Sequence, residues 1–323
     1  MKVLARCLCV FVIAAQLLTT APARAQQLTE VRVATLAPSV LLWLHAIAQQ
    51  QGFYTRHNIA VKELVTGSSP ALLQAVSSGS VEAGMSLGDV VIRAIDNGAP
   101  VVITGAVLGK AALRLMGGKG ITDVKQLAGA TVTAGAVEGG TADLLRYQLK
   151  QAGVDPKNLK MVAITNSKDR VVALENGQVK GALLLAPFDT LAERQGMKVL
   201  DVYRKPYIET PLIVNKNWAA KNRTAAIALT QALKDAAIWI YKPANKAAAI
   251  DILANYTHVP KDVCAESYKF IVEEQQAIAP ELKVDPAGLT NIIDIDKALG
   301  QSSLSSKPFV LSRYYDPSYL AAK

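Results

Sequence analysis

The sequence predicts an α/β fold that closes with a run of helices. Short apolar runs alternate with helix-like segments through the first two thirds of the chain. The runs are rich in Val, Ile, Leu and Ala, as strands covered on both faces are. The last third changes to long amphipathic periodicity. The 323 residues suffice for two ordinary domains or one large one. With 51% hydrophobic and 19% charged residues, disordered, collagenous and repeat classes are excluded.

The first 25 residues stand apart from this pattern. Lys2 and Arg6 make a positive start, and Leu8 to Leu18 is an apolar run of secretory-signal length. Ala23-Arg24-Ala25 fits a small-x-small cleavage site, with Gln26 as the mature start. A secreted, periplasmic protein is therefore expected, with its signal peptide (1–25) cleaved near Ala25. The apolar run is short of the roughly 20 residues that span a bilayer. Cys7 and Cys9 precede the run, whereas a lipidated Cys follows it. Cleavage leaves Cys264 alone, so no internal disulfide forms. It also removes Lys2, Arg6 and Arg24 and no acidic residue, so the net charge falls from +9 to +6. The basic residues are scattered, and no nucleic-acid partner is expected.

The elements follow in order. Strands are predicted at 31–35, 59–64, 81–85, 101–106, 113–117, 130–134, 160–164, 181–185, 199–202 and 212–215. Ser39 caps a helix running to about Gln50, with Gly52 beyond its end. Pro70 suits the first turn of another, ended near Gly79. Gly88 or Asp89 starts a third, and Thr141 to Gln151 a fourth that stops at Gly153. Ala226, Leu229, Leu233, Ala237 and Ile240 recur at helical spacing. Pro243 to Tyr256 and Asp262 to Ile278 read as two more helices.

Four strand-to-helix loops carry the chemistry. They are Thr35 to Ser39, Thr66 to Pro70, Ser86 to Asp89 and Val137 to Thr141. Their small residues leave backbone N–H groups reachable, and helix N-termini carry partial positive charge. Ser39, Ser68, Ser69 and Thr141 add hydroxyl donors. Such a set suits a carboxylate or sulfonate without a buried Lys or Arg. Any one loop alone reads first as ordinary capping; four at equivalent places in both halves reverse that and point to a ligand. Catalytic signatures are absent: there is no H-E-x-x-H, C-x-x-C, G-x-S-x-G, P-loop or G-x-G-x-x-G. His45, His57 and His258 lack metal-ligand spacing, and Cys264 lacks a pairing pattern. No enzyme activity, cofactor or metal is expected.

The order of motifs resembles the substrate-binding proteins of ABC importers, in the subgroup for sulfonates, taurine, nitrate and a thiamine pyrimidine precursor (NMT1/THI5-like). The resemblance rests on Val31-Arg32-Val33 before a small-residue turn, Gly52-Phe53-Tyr54 with Asn58 to Val61, and Gly79-Ser80-Val81-Glu82-Ala83-Gly84. Ser86 to Asp89, Gly139-Gly140-Thr141, Gly177-Gln178-Val179 and Pro187-Phe188 continue it. It implies a two-lobed type II periplasmic binding fold with two hinge crossings. Lobe one would be 28–105 plus 212–323, and lobe two 106–211. The implied ligand contacts are Thr35, Ala37, Pro38, Ser39, Ser68, Ser69, Leu87, Gly88, Glu138, Gly139, Gly140, Thr141 and Phe188. Phe188 reads either as cleft wall or as core. Trp43, Arg114 and Arg170 read as cleft residues or as core and salt-bridged positions.

Two departures from the family pattern bear on the solute. Lys180 replaces the family's acidic residue, and Leu185-Ala186-Pro187-Phe188 lacks its carboxylate. A mainly apolar organic anion, aromatic ones included, is favoured over a taurine-like zwitterion. Glu138 would repel an anion unless it faces solvent or accepts from a ligand hydroxyl or amide. The implied partners are a small solute and importer permease subunits, with the chain a monomer. Two alternatives stay open: a sensing module for a receptor or kinase, and thiamine-pyrimidine-precursor binding or synthesis on the same fold. The Cys-rich iron-binding segment of the synthases is absent.

Overall fold

In the computed structural model the described residues are 27–321, except Gly139, Ser302, Ser303 and 305–307. The expected signal peptide and Gly139 lie outside them. The chain opens with β1 (Thr29–Thr35), α1 (Trp43–Gln50), α2 (Phe53–Arg56), β2 (Ile59–Val65), α3 (Ser69–Ser78), β3 (Ala83–Met85), α4 (Gly88–Asp96) and β4 (Val101–Lys110). It continues through β5 (Leu113–Gly117), β6 (Thr131–Thr133), α5 (Thr141–Gln151), β7 (Lys160–Met161), α6 (Ser167–Glu175), β8 (Gly181–Leu185), α7 (Phe188–Arg194) and β9 (Lys198–Val202). It then returns through β10 (Pro206–Asn215) to α8 (Lys216–Lys221), α9 (Arg223–Ile240), α10 (Lys246–Thr257), α11 (Lys261–Tyr268) and α12 (Pro286–Ala298). Among the described residues no helix is long and apolar enough to cross a membrane.

The strands form two five-stranded sheets, ordered β2-β1-β3-β10-β4 and β7-β6-β8-β5-β9. In each, one strand lies between two parallel neighbours: β1 pairs with β2 and β3, and β6 with β7 and β8. The other pairings are antiparallel. The chain passes from the first sheet to the second between Lys110 and Leu113, and returns between Val202 and Pro206. Both faces of the sheets are covered, so β4 and β8 are apolar and buried along most of their length. The predicted stripe on α9 is buried as a unit: Ala226, Leu229, Leu233, Ala237 and Ile240.

Local chemistry sets the helix ends that matter for the site. Pro70 sits in the first turn of α3, the Ser68 hydroxyl accepts from the Ala71 N–H at 3.4 Å, and Gly79 ends the helix at φ 77°. At that length the cap is a weak one. Ser68→Ala is expected to destabilise the protein by about 0.5–1 kcal/mol, read as a lower melting temperature by circular dichroism. Gly88 has no room for a side chain, since a Cβ there would stand 2.0 Å from the Ile208 carbonyl oxygen.

One expected helix is shorter and differently wound. The segment predicted from Asp262 to Ile278 is α-helical only to Tyr268, then a π-helical turn spans Lys269–Glu274. The physical reason lies in Gln275, whose Nε2 donates to the carbonyls of Ala111 at 3.2 Å and Tyr203 at 2.9 Å. Its Oε1 accepts from Arg204 at 3.3 Å, and its main-chain oxygen accepts from Lys110 Nζ at 2.9 Å. All four partners belong to the two segments that join the sheets. The wider turn brings this one side chain to both.

Candidate functional site

The strand ends of both sheets face a common cavity of about 490 Å³. The first sheet contributes Leu36 to Ser39 after β1, Thr66 to Pro70 after β2, and Leu87 and Val90 at the start of α4. The second contributes Ala134 to Ala136, Glu138, Gly140 and Thr141 after β6, Thr165 to Arg170 after β7, and Leu185 and Phe188 around β8. Tyr256, Thr257 and His258, at the end of α10, complete the lining. This is where open α/β sheets place ligands, outside the carboxyl ends of their strands. Two larger grooves, of about 610 and 930 Å³, are more open and draw on Arg146 and other charged surface residues, without this convergence.

Of the sequence-derived candidates, Ala37, Pro38, Ser39, Ser68, Ser69, Leu87, Glu138, Gly140, Thr141 and Phe188 line the cavity. Glu138 is exposed at its rim. Thr35 and Gly88 stand behind the wall. The Thr35 hydroxyl donates to Glu63 Oε1 at 2.7 Å, and Gly88 packs on β10. Trp43 is fully buried, its Nε1 donating to the Ala249 carbonyl at 3.0 Å and its ring edge-on to Tyr268. Arg114 pairs with Asp189 at 3.3 Å and Glu193 at 2.9 Å and lies 3.8 Å over the Phe270 ring. Both are packing residues away from the cavity.

The helix starts are more fully occupied than the sequence suggests. The Val40 N–H donates to the Ala186 carbonyl at 3.1 Å. The Asn166 side chain accepts from the Asp169 N–H at 2.8 Å, and the Thr141 hydroxyl donates to the Ala134 carbonyl. The Gly140 N–H donates to the Asp89 carboxylate. Ser39, expected as a cap, makes no side-chain capping bond; its hydroxyl is buried and unpartnered.

Two cations line the cavity, the exposed Lys168 and the buried Arg170. Arg170 is 3% exposed, and its guanidinium donates to the carbonyls of Leu183 and Thr165, the latter at 3.5 Å. Nε has no partner, and no carboxylate among the described residues lies within ion-pair distance. Burial pulls its pKa down to about 10, against a weaker pull upward from Glu209. It therefore stays charged at neutral pH, with Glu209 the carboxyl that acts on it from a distance and no direct ion pair among the described residues. The sequence leaves Arg170 open between a cleft residue and a salt-bridged position. The readable signal was Asn166 three residues before Asp169 after an apolar run, a capping pattern for α6.

Three acids around the site are held above their usual range. Burial pushes Asp89 and Asp189 up to about 6, the Gly140 N–H and Arg114 respectively opposing it. Burial, then Asp89, pushes Glu209 up to about 8 against the opposing charge of Arg170, and neither of its carboxyl oxygens has a hydrogen-bond partner. Glu63 shows the opposite: the His45 ring, its Nε2 3.7 Å away, and the Thr35 hydroxyl together outweigh burial and lower it to about 2. Cys264 is buried, with its thiol raised to about 11 by desolvation, so it is no nucleophile at neutral pH. Among the described residues no three His, Cys, Asp or Glu come together as a metal-holding group.

A nitrate/nitrite binding protein, NrtA of Synechococcus elongatus, is 29% identical over 133 residues, 39% of this chain. The chain thereby spans only 30% of that relative's length. The ligand-binding component of an ABC-type import system from Staphylococcus aureus, solved with zinc bound, superposes with a TM-score of 0.75 at 15% identity, covering 91% of this chain and 98% of that one. The periplasmic nitrate-binding protein NrtA from Synechocystis PCC 6803 gives 0.73 at 16% identity, covering 91% and 87%. At such identities the likeness establishes the fold, that of periplasmic binding proteins. The profile of the NMT1/THI5-like family matches residues 45–247, more than half of the chain, and the protein belongs to that family.

Proposed function

We propose that the protein is a periplasmic solute-binding protein that delivers a small organic anion, a carboxylate or sulfonate with an apolar body, to an ABC importer. The observation that supports this reading is Arg170, a buried guanidinium that makes no direct ion pair among the described residues, in the lining of a cavity between two sheets. Leu36, Leu41, Leu87, Val90, Leu185 and Phe188 supply apolar walls, and the unpartnered Ser39 hydroxyl supplies a donor. The cavity lies within the roughly 300–1,000 Å³ typical of small-molecule sites and far exceeds a bare inorganic anion. In this reading the contacts are Ala37, Pro38, Ser39, Ser68, Ser69, Gly140, Thr141, Phe188 and Arg170, with Gly139 beside them in sequence.

The two sheets would be the cores of two lobes, about 28–105 plus 212–323 and 106–211, that close on the solute. No covalent chemistry is required: differential affinity for open and closed states does the work. Permease subunits would read the closed form, and a monomer suffices.

The test is a thermal-shift screen of residues 26–323 against organic acids, sulfonates, nitrate and thiamine precursors. A solute that binds only the folded state adds about 2.7 kcal/mol at one hundred times its Kd. A saturable rise with an organic acid or sulfonate is expected. A rise with nitrate alone, or with none of these, would overturn the assignment.

A further inference from the structure

α5 starts without a cap of its own. Its N-cap is Gly140, which has no side chain to fold back on the first turn, whereas α3 and α6 use Ser68 and Asn166. The acceptor comes instead from the other sheet: the carboxylate of Asp89, the second residue of α4, takes the Gly140 N–H. α4 packs against β10 of the first sheet, while α5 follows β6 of the second. The approach is close. Asp89 Oδ1 lies 3.3 Å from where a Cβ on Gly140 would stand, and Gly140 holds φ 55°, ψ −129°. The Asp89 side chain is 5% exposed. The charged and titratable groups around it are Arg93 at 3.8 Å on its own helix, Asp143 on α5, and Tyr207 and Glu209 on β10.

We propose that Asp89 is a closure latch, a positioning residue that caps α5 only when the two halves of the molecule are together. This inference rests on the two-lobed reading above. In an open form Asp89 and the Gly140 N–H return to water, so their bond counts only toward the closed state. A carboxylate at a helix N-terminus is favoured by the unpaired N–H groups and the helix dipole. Arg194, whose guanidinium pairs with Asp262 and with Glu266 at 2.5 Å, also joins α7 to α11, but those groups are exposed and contribute little. The latch thus sets how long a solute stays enclosed without touching it.

The experiment reads closure directly. Nitroxides are placed at the exposed Lys125→Cys and Lys221→Cys positions of the secreted chain, buried Cys264 remaining unlabelled. Pulsed dipolar distances are measured without solute, and with the acid or sulfonate that raises the melting temperature most. Asp89→Ala is expected to lower the ratio of closed to open molecules about tenfold wherever the parent chain closes, and to speed hydrogen exchange at the Gly140 amide. Asp89→Asn keeps an acceptor oxygen and should recover part of both. If Asp89→Ala changes the melting temperature while the distances in both conditions and the Gly140 exchange stay as in the parent, Asp89 merely stabilises the fold and the latch is wrong. The solute-free arm and the amide exchange need no ligand, so a failed solute screen does not decide this test.

Discussion

Arg170→Met should weaken binding of the cognate acid or sulfonate about 100-fold while leaving the protein folded at room temperature. The figure follows from the loss of a charge-assisted contact, roughly 2–3 kcal/mol, at about 1.4 kcal/mol per factor of ten. Methionine is chosen because it fills most of the arginine stem's volume, so the apolar packing survives. The substitution also strips a donor from the Leu183 and Thr165 carbonyls, and some stability is lost with it. Arg170→Lys separates the two effects. It keeps the charge but not the planar fork, and should fall between the parent and Met in affinity. Isothermal titration with the solute that gives the largest thermal shift is the measurement. Equal affinities for the parent and a folded Met variant would remove Arg170 from the site, and with it the main support for an anionic solute.

Glu209→Gln should raise the melting temperature at pH 8 and leave it nearly unchanged at pH 4. The sign follows from linkage. In the unfolded chain Glu209 titrates near 4.5; in the fold burial holds it up to about 8. Below the unfolded value the proton is bound in both states and there is no penalty. As pH rises from there toward 8, the unfolded state releases its proton and the native state does not, so native stability falls. The upper limit is about 1.4 kcal/mol for each pH unit crossed. Allowing for relaxation around the carboxyl, a gain of about 2–3 kcal/mol is expected for the glutamine protein at neutral pH, or roughly 5 °C. Asp89 and Asp189, both up at about 6, steepen the lower part of the same slope in both proteins. Parallel curves for parent and variant between pH 5 and 8 would show that Glu209 ionises normally in the fold.

Much of the architecture could be read from local signals. Each predicted strand has a counterpart, because the strands are short, apolar-rich and punctuated by Gly, Asn or Pro; the inner ones are largely buried, while the edge strands β2, β7 and β9 are half-buried or exposed. Thr141 to Gln151 was bounded correctly by its glycines. The reading failed where tertiary contacts decide. α7 is only seven residues long and α6 mixes charge into its buried face, so neither shows a clean period. The helix begun at Asp262 gives way to a π turn because Gln275 is claimed by two distant carbonyls.

The cavity shows the same division. Loops after β1, β2, β3 and β6 were legible as small-residue helix starts. What fills those helix starts was not, since Asp89 and Ala186 reach them from another part of the chain. Thr35 and Gly88 sit at the right strand ends, yet Thr35 is taken by Glu63 on the neighbouring strand and Gly88 by β10. Tyr256 to His258 arrive from a helix end with no mark of a ligand site in its own sequence.

The Gln275 amide holds both connections between the sheets at once, and this has a mechanical meaning. Two independent links would let the halves twist and slide as well as swing. In the proposed closure, a single amide bonded to both would couple the two links so that they bend together. The two lobes would then meet in a repeatable alignment, which is what a membrane partner of the proposed kind would need to recognise the closed form.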